Sequence, residues 1–99
     1  MRALWIDGPG RVRLGEAAEL EPGPGELLLR VRTVGFCGSD LNTFRGLNPL
    51  VSYPRIPGHE IAATVERVGA GVPEPFREGL DVTVVPYTAC GRCAACRRG

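Results

Sequence analysis

Glycine and proline interrupt this chain at about every fourth residue, with 14 Gly and 9 Pro among 99 residues, spread between short apolar runs. Proline fixes φ and withholds a donor, and glycine costs a regular element conformational entropy. Long helices are therefore disfavoured, and the pattern predicts many short strands joined by tight turns. A chain of this length makes one domain at most, with a modest core.

The apolar runs give the order of elements. Met1 to Ile6 reads as a first strand, closed by a turn at Gly8-Pro9-Gly10, and Arg11 to Leu14 alternates as though pairing back in a hairpin. Glu21 to Gly25 is a rigid loop with two prolines. Leu27 to Val34 is the clearest strand, with Leu27, Leu29 and Val31 on one face and Arg30 and Arg32 on the other. Ser39 and Asp40 are N-cap candidates for a short helical turn from Leu41 to Phe44. Residues 46–57 read as an irregular loop, followed by a strand from Ile61 to Val68, a turn at Gly69-Ala70-Gly71 and a last strand from Val82 to Tyr87. The glycine pair at 69 and 71 is not a dinucleotide fingerprint. The third glycine of that motif would fall at Glu74, and Pro73 and Pro75 leave no crossover helix.

Charge and hydropathy exclude several functions. The net charge of +1 gives no electrostatic case for nucleic acid or an acidic membrane surface. No stretch approaches the ~20 apolar residues of a membrane span, and Met1 to Asp7 has no apolar signal-peptide region. All 12 basic residues are arginine, which we read as genomic base composition. A reducing cytoplasm is expected, and clustered cysteines there are metal ligands more often than disulfides.

Two groups of residues have metal-ligand chemistry. Cys37 follows one strand, while His59 and Glu60 precede another, so the three can converge although Cys37 and His59 are 22 positions apart. A catalytic zinc takes about three protein ligands and leaves one position open. Asp40 could hold the second ring nitrogen of His59, and Ser39 could carry a proton. Taken singly, a Cys reads equally as a small buried hydrophobe and a His as a hydrogen-bonded strand-end residue. The second group, Cys90, Cys93 and Cys96, places three thiols in seven residues, which core packing does not explain. Its spacing fits three of four tetrahedral zinc ligands, and equally the first three cysteines of a ferredoxin-type run.

Together, the segments Gly35-Phe36-Cys37-Gly38-Ser39-Asp40, Pro57-Gly58-His59-Glu60 and Cys90 to Gly99 resemble the zinc-containing alcohol dehydrogenases of the medium-chain dehydrogenase/reductase superfamily. Ferredoxins have no counterpart of the first two segments. The resemblance implies a mainly β fold, a GroES-like (chaperonin-10-like) partly open β-barrel with short helical turns. It implies that Cys37 and His59 ligate a catalytic zinc, with Glu60 as a further or exchangeable ligand. Ser39 takes the hydroxyl position of the proton relay, Asp40 partners the zinc-bound His59, and Cys90, Cys93 and Cys96 are three of four structural-zinc ligands. The implied reaction is hydride transfer from a zinc-bound alkoxide to NAD or NADP, on a small alcohol, polyol or sugar-acid substrate.

Three departures accompany the resemblance. Ala63 stands where the family has glycine, and the acid of Gly79-Leu80-Asp81-Val82 is displaced by one. The fourth structural cysteine and the Rossmann nucleotide-binding domain are not among residues 1–99. We therefore expect a partial GroES-like domain ending inside the structural-zinc lobe, binding NAD or NADP only as part of a full-length enzyme and without turnover on its own. The alternative expectation is a stand-alone, non-catalytic zinc-binding fragment. Open sheet edges lead us to expect a homo-oligomer, with neither nucleic acid nor membrane as a partner.

Overall fold

The computed structural model describes residues 1–99. Its elements run β1 (Arg2–Gly8), β2 (Arg11–Glu16), β3 (Leu27–Gly35), α1 (Gly38–Arg45), β4 (Glu60–Val68), β5 (Asp81–Thr83) and α2 (Ala94–Arg98). β1 and β2 form the expected antiparallel hairpin around Pro9-Gly10, in a register from Arg2↔Glu16 to Ile6↔Val12 with an irregularity between Ile6 and Gly8. β3, β4 and β5 form a separate antiparallel sheet in that order.

The mainly β expectation holds, and the two sheets do not close into a full barrel. One isolated bridge, Ile6↔Arg55, ties the hairpin to the loop before β4. Between the two sheets lies an apolar trough of about 1120 Å³, lined by side chains that include Leu4, Leu29, Val31, Phe44 and Ile61. Two register shifts along the β3–β4 ladder break strict alternation: between Leu28 and Leu29, where Glu66 of β4 is the extra residue, and between Val31 and Thr33, where Arg32 of β3 is. As a result Leu28 and Val34 line the trough with Leu29 and Val31, while Leu27 does not.

The fully buried apolar core is small: Ile6 at 3% exposure, Ala63 at 3% and Val65 at 1%. Ala63 lies opposite both Val31 and Val82, so its methyl group is packed into the centre of the larger sheet. Asp81, the displaced acid, opens β5 and accepts from Thr64 Oγ1 at 2.9 Å.

Three local features differ from the sequence-based expectation. The last strand ends at Thr83 rather than Tyr87. Pro86 cannot donate to a ladder, and at the end of the pairing the Thr83 side chain donates to Ile61 O at 2.9 Å. The helix runs from Gly38 to Arg45 and is capped by Cys37, not by Ser39 or Asp40. A second short helix, α2, follows Cys93. The Gly69 turn behaves as expected: Gly69 N donates to Glu26 O and Gly25 N to Ala70 O, both at 2.8 Å, and no helix follows. No helix is long and apolar enough to cross a membrane.

Candidate metal centre

β3 leads directly into the first group of donor residues. Cys37 leaves the strand in an extended conformation, with φ −126° and ψ 175°, and caps α1. Asp40, in the first helical turn and buried, accepts from the Cys37 backbone N–H through Oδ2 at 3.1 Å. This contact is one half of a capping box and satisfies a donor that would otherwise be orphaned at the helix start.

His59 arrives just ahead of the neighbouring strand β4, whose first residue, Glu60, pairs with Gly35 at the end of β3. Gly58 makes the approach possible. Its φ is +111°, and a Cβ there would lie 2.8 Å from Val34 Cγ1, so only glycine fits. His59 Nε2 then lies 3.5 Å from Cys37 Sγ, while Nδ1 faces Asp40 Oδ1 at 3.8 Å. Ser39 Oγ is 2.9 Å from Cys37 Sγ.

The geometry suits a tetrahedral zinc ion. With Zn–S near 2.3 Å and Zn–N near 2.05 Å, ligand atoms at the tetrahedral angle lie about 3.5 Å apart, which is the Cys37–His59 separation. Cys37, Asp40 and His59 place one donor atom each within 4.8 Å of one another. Asp40 is the least suited of the three to direct ligation, because Oδ2 is taken by the Cys37 N–H and Oδ1 faces His59. Its Oδ1 faces the Nδ1 edge of the His59 ring at 3.8 Å, on the opposite side of the ring from Nε2.

Glu60 is placed differently from the other three. It is exposed and its carboxylate folds against Gly35, where a Cβ would lie 2.7 Å from Oε2. It belongs to no three-donor group. With His59, Thr33, Thr83 and Tyr87, it lines an open cleft of about 560 Å³ beside the centre.

Cys90, Cys93 and Cys96 form the second three-donor group. Cys96 Sγ is 3.8 Å from Cys90 Sγ and 3.4 Å from Cys93 Sγ, against about 3.8 Å between thiolates on tetrahedral zinc. Backbone donors point at the sulfurs: Arg92 N and Cys93 N donate to Cys90 Sγ at 3.4 and 3.2 Å, and Cys96 N donates to Cys93 Sγ at 3.5 Å. The Arg92 and Cys93 N–H groups hold the Cys90 thiol down at about 7. The Gly91 N–H, and next the Cys93 side chain, also lower Cys96. A closed zinc site takes four ligands, and the separations of these three sulfurs fit three of them. Sequence reasoning missed α2, although Ala-Ala followed by Cys-Arg-Arg has a signal: strong helix formers first and cations in the last turn.

The alcohol dehydrogenase GroES-like domain family matches residues 23–99. This chain belongs to that family. It is 40% identical over 99 residues to an uncharacterized zinc-type alcohol dehydrogenase-like protein of Haemophilus influenzae, covering 100% of this chain and 29% of that protein. It is 38% identical over 100 residues to human sorbitol dehydrogenase, covering 98% of this chain and 28% of the enzyme. In structure it is similar to Escherichia coli RspB complexed with NADH, with a TM-score of 0.89 and 37% identity over 99% of this chain and 28% of that one. It is likewise similar to E. coli galactitol-1-phosphate dehydrogenase, with a TM-score of 0.87 and 31% identity over 100% of this chain and 28% of that one. The chain thus spans under a third of the length of the relatives it matches.

Proposed function

We propose that this chain is the zinc-binding N-terminal part of a zinc-dependent, NAD(P)-linked alcohol or polyol dehydrogenase. The observation that carries this reading is the 3.5 Å approach of Cys37 Sγ to His59 Nε2, with Asp40 behind the ring. Cys37 and His59 would hold the ion, and when bound it supplies Lewis-acid chemistry that lowers the pKa of an alcohol. The chain's own residues do the rest of the work at this end of the site. Asp40 keeps the Nδ1 proton of His59 directed toward its carboxylate. Ser39 Oγ, beside the Cys37 sulfur, accepts the hydroxyl proton of the substrate and passes it toward solvent. Thr33, Glu60 and Thr83 line the adjoining cleft and offer polar contacts to a polyhydroxylated substrate, the alcohol, polyol or sugar-acid class. The nicotinamide carries the hydride chemistry, and its binding falls to the remainder of a full-length enzyme.

Cys90, Cys93 and Cys96 are assigned to the structural-zinc lobe, as three of its ligands. The four free cysteines fit a reducing, cytoplasmic setting.

Metal analysis tests the reading. The purified chain is expected to carry zinc and not iron, and Cys37→Ser is expected to lower zinc content with the Cys90–Cys96 group intact. Stoichiometric iron and sulfide, or zinc content unchanged by Cys37→Ser, would count against it.

A further inference from the structure

The two candidate ligands come from segments 22 residues apart, so something must fix the distance between those segments. The β3–β4 ladder fixes one side, through Gly35↔Glu60. That pair sets where the chain leaves for Cys37 and where it returns from His59, but it does not hold α1 itself. α1 carries Cys37 at its cap and Ser39 and Asp40 in its first turn, so its placement against the His59 segment sets the separation of the donors.

The far end of α1 is tied to the β1–β2 turn, where Gly10 N donates to Phe44 O at 2.7 Å; a separate link, through side chains, ties the helix to the segment that carries His59. The Tyr53 hydroxyl donates to Thr43 O at 2.5 Å. Thr43 is buried, and its Oγ1 donates to Ser39 O at 3.0 Å. The link therefore runs from Tyr53 along α1 to the turn that bears Ser39 and Asp40. Tyr53 itself is held in place. Two residues on, Arg55 and Ile6 exchange both backbone hydrogen bonds, Ile6 N to Arg55 O at 2.8 Å and Arg55 N to Ile6 O at 2.9 Å. The same segment continues through Pro57 and Gly58 to His59. One stretch of chain thus touches the helix of one donor and delivers the other.

We propose that Tyr53 is a positioning residue for the metal centre. Its phenolic O–H ties α1 to the segment carrying His59, and so sets the approach of Cys37 Sγ to His59 Nε2. The role rests on the zinc reading of Cys37 and His59. Tyr53 touches neither donor atom, and it acts only through Thr43 and the backbone.

The test uses the full 99-residue chain carrying Cys90→Ser, Cys93→Ser and Cys96→Ser, so that cobalt(II) reports the first group alone. Cobalt(II) is titrated and the thiolate-to-cobalt charge-transfer absorption is followed, with far-UV circular dichroism as the folding control. Tyr53→Phe keeps the ring and removes only the hydroxyl. It is expected to weaken cobalt(II) binding about five- to tenfold, the scale of one lost outer hydrogen bond, and to alter the ligand-field bands. A purely structural role would lower the melting temperature and leave both affinity and bands unchanged in the folded protein, and that result would overturn the proposal. If Tyr53→Phe does not fold in buffer, parent and variant are both titrated in trimethylamine N-oxide, which favours the compact state; weakened cobalt binding in the refolded variant supports the proposal and parent-like binding overturns it. A parent chain with no charge-transfer band would overturn the metal reading and the role of Tyr53 with it, which is a different result from a Tyr53 variant matching its parent.

Discussion

Asp40 does two things at once: it accepts from the Cys37 N–H and faces His59 Nδ1. A single buried carboxylate therefore touches the Cys37 backbone and faces His59, and its type and position were legible in the sequence because Ser39-Asp40 lies just beyond Cys37-Gly38. Cys90 illustrates a second residue-scale effect. Backbone N–H groups of Arg92 and Cys93 favour its thiolate over its thiol, so the folded value falls from the ordinary 9.0 to about 7. The sign is clear: the thiolate is present above pH 7 and is lost as pH falls through that value. In the metal-free chain, alkylation of Cys90 is expected to reach half its maximal rate near pH 7, and denaturation is expected to move that midpoint up toward the ordinary thiol range. Mass-spectrometric counting of the modified peptide against pH measures this, and a midpoint unaffected by unfolding would show that the N–H donors do not act.

At the scale of elements, the turns that present the donors matter more than the strands. β1 to β4 were readable from apolar alternation bounded by glycine and proline. The helix cap was not, because cysteine is an uncommon N-cap and the usual capping residues, Ser39 and Asp40, lie just inside the helix. The end of α1 is fixed by Gly46 in the left-handed conformation. Gly58 is the turn on which the site depends. Gly58→Ala places a Cβ at φ +111° and 2.8 Å from Val34 Cγ1, a strain of about 1–2 kcal/mol or more. It is expected to lower the urea midpoint and to lower zinc content as His59 is displaced. Urea unfolding followed by circular dichroism, with zinc measured on the folded fraction, checks both, and wild-type zinc binding at reduced stability would separate the turn from the site.

The whole molecule is loosely closed. Its radius of gyration is 15.8 Å, against about 13 Å for a compact chain of 100 residues, and the trough between its sheets is lined largely by apolar side chains. Leu14, Val34, Phe36, Leu50 and Tyr87 are all exposed. Exposed apolar area and unpaired strand edges favour association, so the isolated chain is expected to elute as a dimer or larger species in light-scattering chromatography; a monomer at every concentration would count against this. The mainly β character, the donor set and the family resemblance were all legible before folding, because glycine and proline spacing, apolar alternation and ligand-type side chains are local properties of the chain. Which donors meet is a matter of how distant segments pair. Cys37, Asp40 and His59 converge and Glu60 folds away against Gly35. The last strand stops at Thr83, and Tyr53 reaches Thr43. Those outcomes depend on the Gly35↔Glu60 register and on the bulges at Arg32 of β3 and Glu66 of β4, where a slip of one residue sends a side chain to the opposite face, and no local pattern encodes the pairing of segments so far apart in the chain.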